Sequence, residues 1–252
     1  MWSCCGAVQR GASGCGAMPE HSHEEAALLE ANLAFAATPA AIPAVAKRRA
    51  VVLDCEMGGD RFNRSELILL SVVDFFSAEV LFDTLVDPST PICDWRSRWS
   101  GVTKRAMDGA RTSSNAVSGW RAARSLVLSH IDANTVAIGF ALENDLDQLR
   151  LVHPNFVDAR LAIPCLTGNG NKHGVRSLTA ELLGKTVQID ARGHNCLEDT
   201  FAARELMLWC LRNPEKVERR RKQSRALLSQ HHGHIMAIRD DKCAPGGAQA
   251  LP

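Results

Sequence analysis

The chain has 252 residues, with 29 Lys and Arg against 28 Asp and Glu, 46% hydrophobic residues, and eight Phe and five Trp but no Tyr. That size fits one globular domain with extra segments, or two small domains, and a formal charge of +1 confines any nucleic-acid affinity to local patches. The missing phenol excludes tyrosyl-DNA intermediates, tyrosine general bases and tyrosine-assisted metal sites.

Residues 1–49 hold 13 alanines and read as a poorly ordered arm with one helix near Glu24–Ala37. The arm has no basic stretch followed by an apolar run, which argues against a secretory signal. Its apolar segment, Ala31–Ala46, is short and broken by Pro39 and Pro43, so it cannot span a bilayer. Cys4, Cys5, Cys15, His21 and His23 match no common zinc spacing. All nine cysteines together, odd in number and without a C-x-x-C, read as a reduced cytosolic or nuclear chain.

From Ala50 the pattern changes. Ala50–Glu56 predicts a buried strand, and Leu67–Phe76 and Glu79–Val86 predict two more around a tight turn at Ser77-Ala78. Residues 87–114, with Pro88, Pro91 and several Ser and Gly, read as loop. Asn115–Ile131 has helical spacing, with Val117, Trp120, Ala123, Leu126, Val127 and Leu128 on its apolar side. Thr135–Phe140 reads as a strand, Glu143–Val152 as a helix and Asn155–Ala159 as a short strand. Ser177–Leu183 reads as a helix with a serine start and a Gly184 stop, and Leu197–Leu211 as a long helix. The order βββαβαβα predicts an α/β fold, a mixed sheet flanked by helices, over residues 50–212. Residues 213–252 then form a basic helix and tail.

Acids fall at the ends of the buried elements. Asp54 and Glu56 lie two apart on a strand, so both carboxylates face one side and Cys55 the other. Alone, such a pair also describes a strand end meeting solvent. Asp145 falls on the first turn of the helix after Gly139-Phe140-Ala141-Leu142, where the helix dipole favours an acid. Asp199 follows His194 by five residues in His194-Asn195-Cys196-Leu197-Glu198-Asp199. Each has a bland reading by itself; together they can converge on one cleft. Four carboxylates there repel unless they hold divalent cations, and oxygen ligands favour Mg2+ or Mn2+ over zinc. Two such ions about 3.5–4 Å apart activate a water and stabilise the leaving oxygen of a phosphodiester. A histidine titrates in the range suited to taking that water's proton.

These segments resemble the DEDDh 3′→5′ exonuclease family of ribonuclease-H-like fold, and within it the branch of ribonuclease T and the Rex-type RNA exonucleases. Leu53-Asp54-Cys55-Glu56-Met57-Gly58 is similar to that branch's first motif, and Gly139 to Leu146 to its second. His194 to Asp199 matches the third, H-x-x-x-x-D. Trp99-Ser100-Gly101-Val102-Thr103 resembles the S-G-[IV]-T segment, Val157-Asp158-Ala159 a V-D-T strand, and Arg176-Ser177-Leu178 the S-L-x-x-L helix start. The resemblance covers about residues 50–212.

It implies Asp54, Glu56, Asp145 and Asp199 as ligands of two Mg2+ (or Mn2+) ions and His194 as general base. It also implies Met57 against the terminal nucleotide, Glu56 near its 3′-hydroxyl, and Thr103 and Phe140 as further substrate contacts. Met57 has the alternative of plugging a core gap, and Phe140 stands where relatives often have histidine. The family divides by whether histidine or tyrosine positions the attacking water, and a chain without tyrosine can use only the first. The implied activity is a metal-dependent 3′→5′ exonuclease releasing nucleoside 5′-monophosphates from single-stranded RNA 3′ ends. A DNA exonuclease and a catalytically silent RNA-binding protein are the rivals.

Outside the motifs, Trp95, Arg96, Arg98, Trp99, Lys104, Arg105 and Arg111 interleave aromatic and basic residues, as a single-strand binding surface does and as a solvated loop over a packed tryptophan pair also does. Arg61 and Arg64 lie in the 59–66 loop, which either contacts substrate or is solvated. Residues 216–225 carry a net +5, suited to RNA binding, to a nuclear signal or to a solvated helix face. His231, His232 and His234 read as tail composition. The expected location is nuclear or cytoplasmic, with the nucleus favoured and no membrane.

Overall fold

The computed structural model describes residues 34–42, 46–164, 166, 174–189 and 193–227. The chain divides into Met1–Phe35 and Ala36–Pro252, and all elements named below lie in the second unit. Strand β1 (Ala36–Ala37) is followed by β2 (Ala50–Gly59), β3 (Ser65–Asp74) and β4 (Val80–Asp87). Next come helices α1 (Ser97–Ser100) and α2 (Lys104–Thr112), strand β5 (Ala116–Ser118) and helix α3 (Gly119–His130). Strand β6 (Val136–Gly139), helix α4 (Glu143–Leu149), and strands β7 (Leu151–Val152) and β8 (Phe156–Asp158) continue the chain. Helices α5 (Ala159–Ala162), α6 (Val175–Leu183) and α7 (Cys196–Arg212) complete the domain, and a further helix, α8, runs over 214–227.

Six strands form one mixed sheet in the order β5-β4-β3-β2-β6-β8. The pairs β2/β3 and β3/β4 are antiparallel, whereas β4/β5, β2/β6 and β6/β8 are parallel. Val51, Val52 and Leu53 are wholly buried, so β2 is covered on both faces, which is why it reads as an unbroken apolar run. Val52, Val73 and Ile138 pack against Ala203 and Met207 of α7, so the even-numbered face of β2 looks at that helix. Leu206, also fully buried, joins α7 to Leu178 of α6. Among the described residues, no helix is long and apolar enough to cross a membrane.

Several expectations are corrected. Residues 87–114 hold α1 and α2 rather than loop alone: Thr103 Oγ1 accepts from Ala106 N at 3.2 Å, and Met107 and Val102 are buried against Ile68. The amphipathic run from Asn115 opens as a strand, because Ala116–Ser118 pair with Leu85–Asp87, and its helix begins at Gly119. The helix from Glu143 stops at Leu149, where Arg150 adopts φ 49° and Leu151–Val152 turn to pair with Ala36–Ala37. Residues 36–38 therefore belong to the fold and not to an arm, and Ala36–Ala37 are strand where a helix was expected; residues 24–33 lie outside the described set. Helix α6 starts at Val175 with Gly174 as its cap; Ser177 lies inside it and its Oγ donates to Gly174 O at 2.9 Å. The Gly184 stop is as expected, with φ 64°.

The basic segment is helical. Buried Arg220 ties α8 down, donating to Glu181 of α6 and, at 3.3 Å, to Pro164 O. Replacing Leu206, at the junction of α6 and α7, with Ala removes buried volume that these helices cannot refill. The expected loss is about 2–5 kcal/mol in urea unfolding; a change under about 1 kcal/mol contradicts this account of the core.

Candidate active site

Asp54 and Glu56 stand on the face of β2 that looks at α7, as their period-two relation to Val52 requires. The β2/β3 register slips between Glu56 and Met57, leaving Ile68 of β3 as the extra residue. Such a bulge bends the strand end and re-aims its side chains. Two contacts lock this end of β2 to neighbouring helices. Cys55 N donates to Asp145 Oδ1 at 3.1 Å, and Cys196 Sγ donates to Asp54 O at 3.1 Å.

Asp145 reaches the strand because Gly139 lets β6 and the following turn close in. A Cβ at Gly139 would meet Leu142 Cδ1 at 2.8 Å and Leu53 O at 3.0 Å. Asp199 sits in the first turn of α7, whose cap, Asn195, accepts from Glu198 N at 3.0 Å. His194 precedes that cap. Its backbone N donates to Trp99 O at 2.8 Å, and Gly101 (φ 66°) and Gly193 (φ 124°) approach so closely that a Cβ on either would collide with the other loop's backbone. The Ser100-Gly101-Val102-Thr103 segment therefore serves to seat the histidine loop.

Glu56, His194 and Asp199 each offer a ligand atom, and these atoms lie within 4.8 Å of one another. His194 Nδ1 is 3.6 Å from Asp199 Oδ2. Asp54 and Asp145 join the group through space. Burial, then the neighbouring Asp199, pushes Asp54 up to about 8. Burial, then Asp54 and Asp199, pushes Glu56 up to about 9. Asp145 is raised by burial and by Asp54, and Asp199 is raised by burial although Gln188 and His194 oppose the shift.

The donor set fits a divalent cation. Asp145 Oδ2 is buried and accepts no hydrogen bond among the described residues, and the converging carboxylates supply the hard oxygens that magnesium or manganese prefers. Asp54, Glu56, Asp145 and Asp199, with His194 alongside, are the residues that would hold it.

A cleft of about 380 Å3 opens here, lined by Asp54, Glu56, Met57, Phe140 and Asp145 together with Ser65, Arg96, Trp99, Asn144 and Gln148. A second hollow of about 500 Å3 is lined by His194, Cys196 and Glu198 and shares Ser100 with the first. The two tryptophans divide: Trp95 packs against the Ile68 cluster, whereas Trp99 is 58% exposed and faces the cleft. Thr103 stands apart from both hollows as the exposed cap of α2. In the 59–66 loop, Arg64 pairs with Asp60 at 2.7 Å and Arg61 lies over Phe62, 4.5 Å from the ring centre.

One residue of the site has no counterpart in the sequence motifs. Gln188 Nε2 donates to both oxygens of Asp199, at 3.0 and 2.8 Å, and lies 3.3 Å from His194 Nδ1. Its backbone is left-handed (φ 57°), and its N donates to Glu198 Oε2 at 2.8 Å. No spacing rule marks a glutamine eight residues before a helix start, so only the fold brings it in.

No family model matches the chain. Over 178 residues it is 35% identical to Exonuclease GOR of Pan troglodytes, covering 70% of this chain and 25% of that protein. Over 167 residues it is 35% identical to RNA exonuclease 1 homolog of Homo sapiens, covering 66% of this chain and 13% of that one. The chain belongs to the DEDD-type 3′→5′ exonuclease superfamily. It spans a quarter or less of the length of these two relatives. Its fold superposes with a TM-score of 0.59 on the Pan2 pseudoubiquitin hydrolase–RNA exonuclease module of Saccharomyces cerevisiae in complex with AAGGA RNA, at 17% identity over 81% of this chain and 37% of that one. The mixed sheet of this superfamily member is thus ribonuclease-H-like, as expected.

The raised carboxyls set a pH dependence. Asp54 and Glu56 have native pKa values, about 8 and about 9, above their unfolded ones, so between the two the metal-free native chain binds more protons than the unfolded chain. Stability therefore falls as pH rises from the ordinary carboxylate range through these values. Thermal melts in chelator should show a falling midpoint over that window, and manganese should flatten the trend. A midpoint that rises with pH in chelator contradicts the clustering. Gln188→Ala should cost about 1.5–3 kcal/mol in chelator, since it strips hydrogen bonds from the buried Asp199 carboxylate; an unchanged midpoint contradicts that role.

Proposed function

We propose that the chain is a metal-dependent 3′→5′ exonuclease that hydrolyses single-stranded RNA 3′ ends to nucleoside 5′-monophosphates. The observation that carries the reading is the meeting of Glu56, His194 and Asp199 within 4.8 Å, with Glu56 also lining the cleft shared by Asp54, Met57, Phe140 and Asp145. Two magnesium or manganese ions held by the four carboxylates would neutralise them and stabilise negative charge developing on the phosphate. His194, 37% exposed at the edge of the acids, is placed to take the proton from an attacking water, and the backbone contact to Trp99 holds its loop in register. Met57 offers a flexible thioether to any base, and Phe140 and exposed Trp99 offer aromatic faces. Pockets of this kind read a terminal nucleotide by shape and stacking instead of by sequence.

RNA is favoured as substrate by the curated relative named RNA exonuclease 1 homolog and by the RNA held by the structurally similar Pan2 module. Digestion of 3′-labelled RNA and of a matched DNA strand, each with magnesium, manganese and chelator, tests both parts. The expected outcome is metal-dependent release of 5′-monophosphates from RNA. Preferred digestion of DNA replaces the substrate assignment, and tight RNA binding without metal-stimulated turnover replaces the enzyme by a binding protein.

Asp54→Asn should abolish turnover while raising the melting midpoint in chelator, because it removes one member of a mutually repelling cluster. His194→Ala should lower kcat by about 10²–10⁴-fold. Undiminished digestion by either variant overturns the assignment.

A further inference from the structure

The acids that make the cleft also repel the phosphates that must enter it, so affinity for a nucleic-acid strand has to come from positive charge elsewhere. Several arginines are engaged with acids or polar side chains. Arg96 donates to Ser65 Oγ and Asn63 Oδ1, Arg160 to Glu143, and Arg111 to Asp87. A different arrangement surrounds Trp120. The guanidinium carbons of Arg150, Arg121 and Arg124 lie 4.0, 4.3 and 4.9 Å from its ring centre. Trp120 itself is only 6% exposed, so it acts as a fixed platform that gathers the three side chains. Arg124 Nη1 donates to Arg150 O at 2.9 Å, which ties α3 to the end of α4. Burial holds Arg150 below the usual arginine range, with Arg121 and Arg124 adding to the shift and Glu66 opposing it; burial and then Arg121 lower Arg124. Like charges held this close are relieved by an anion placed among them.

Topology puts the cluster at the same end of the sheet as the acids. Strands β2, β4, β5 and β6 all run in one direction, since β3 is antiparallel to both β2 and β4 while β5 and β6 pair in parallel. Helix α3 begins directly after β5, so Trp120 and Arg121 lie at the end where β2 delivers Asp54 and Glu56. Arg150 caps α4, the helix that carries Asp145 in its first turn. Asp145 and Arg150 are five residues apart, roughly 8 Å along the axis at about 1.5 Å per residue. Gln148 of α4 and Ser65, next to Glu66, both line the cleft.

We propose that Arg121, Arg124 and Arg150, gathered around Trp120, bind the phosphodiester backbone of the strand a few nucleotides upstream of the 3′ end held in the cleft. This rests on the nuclease reading above and adds a second, sequence-independent contact region. Guanidinium groups suit it, since they bind phosphate oxygens in pairs and stack on an aromatic face at the same time. The cluster supplies length-dependent affinity, and the cleft supplies the chemistry.

The test is binding of a labelled oligoribonucleotide and of a matched DNA strand in chelator across a salt series, with wild type and the Arg121→Gln/Arg124→Gln/Arg150→Gln variant. For the variant, the slope of log affinity against log salt should shrink by roughly 0.7 for each phosphate that the arginines neutralise in the wild type, on both strands alike. With metal present, kcat/KM for a long RNA should fall by about 10-fold or more while that for a dinucleotide stays unchanged, because only the long strand reaches the arginines. An unchanged salt slope, weakening confined to RNA, or equal weakening on long and short substrates overturns the proposal. If the triple variant does not fold, exposed Arg121→Glu alone should still weaken binding of the long strand and flatten its slope, and failure to do so is equally decisive. Wild type that binds strands in chelator but digests none with metal sinks the nuclease reading and leaves the cluster to be judged on binding alone.

Discussion

Repulsion among four buried or half-buried carboxylates is the constraint around which this molecule is built. Burial raises the proton affinity of all four; Asp199 raises that of Asp54 and Glu56 further, and Asp54 that of Glu56 and Asp145. An unsupported set of this kind would push its elements apart. The chain holds it with a strand covered on both faces and a helix packed along that strand, so the acids stand on a buried, well-packed part of the fold. What opposes it locally is modest: the backbone N–H of Cys55, the amide of Gln188 and the imidazole of His194. Local hydrogen bonds hold the acids in place, and their hard oxygens are the donor set that a divalent cation would take up.

Close backbone approach is the second means of positioning. Gly139 brings the Asp145 turn onto β2, and the Gly101–Gly193 contact brings the histidine loop onto the segment after α1. In both places a side chain of any size would separate elements that must touch. These glycines thus serve the geometry of the acids and the histidine without touching the chemistry. Charge is divided as well, with acids lining the cleft and guanidiniums gathered over Trp120.

Much of this was legible in one dimension. The strands at Ala50, Leu67 and Glu79, the turn at Ser77-Ala78 and the long helix after His194 follow from apolar periodicity, and the structure has them within a few residues. Misreadings cluster where a tertiary contact overrides a local signal. Prolines and serines between 87 and 114 suggested loop, yet burial of Val102 and Met107 against Ile68 winds two helices there. Ala116–Ser118 share an amphipathic run with α3, but an open sheet edge beside β4 claims them as strand. Ala36–Ala37 sit in alanine-rich sequence that favours helix, and they extend only because Leu151–Val152 offer backbone partners 115 residues away.

Residue type and spacing alone already supplied the candidate set: the acids, their order and separation along the chain, His194 five residues before Asp199, and no tyrosine. Those are properties of residue type and separation, and separation along a strand or helix fixes the face a side chain occupies. Only the tertiary structure decided who joins them. Gln188 enters through a left-handed turn, Trp99 turns to the cleft while Trp95 turns inward, Thr103 becomes a helix cap, and three arginines from two helices share one indole. The Thr103 cap is a local contact to Ala106, but the other three depend on contacts between segments apart in the chain, and no local periodicity encodes which of two distant elements will meet.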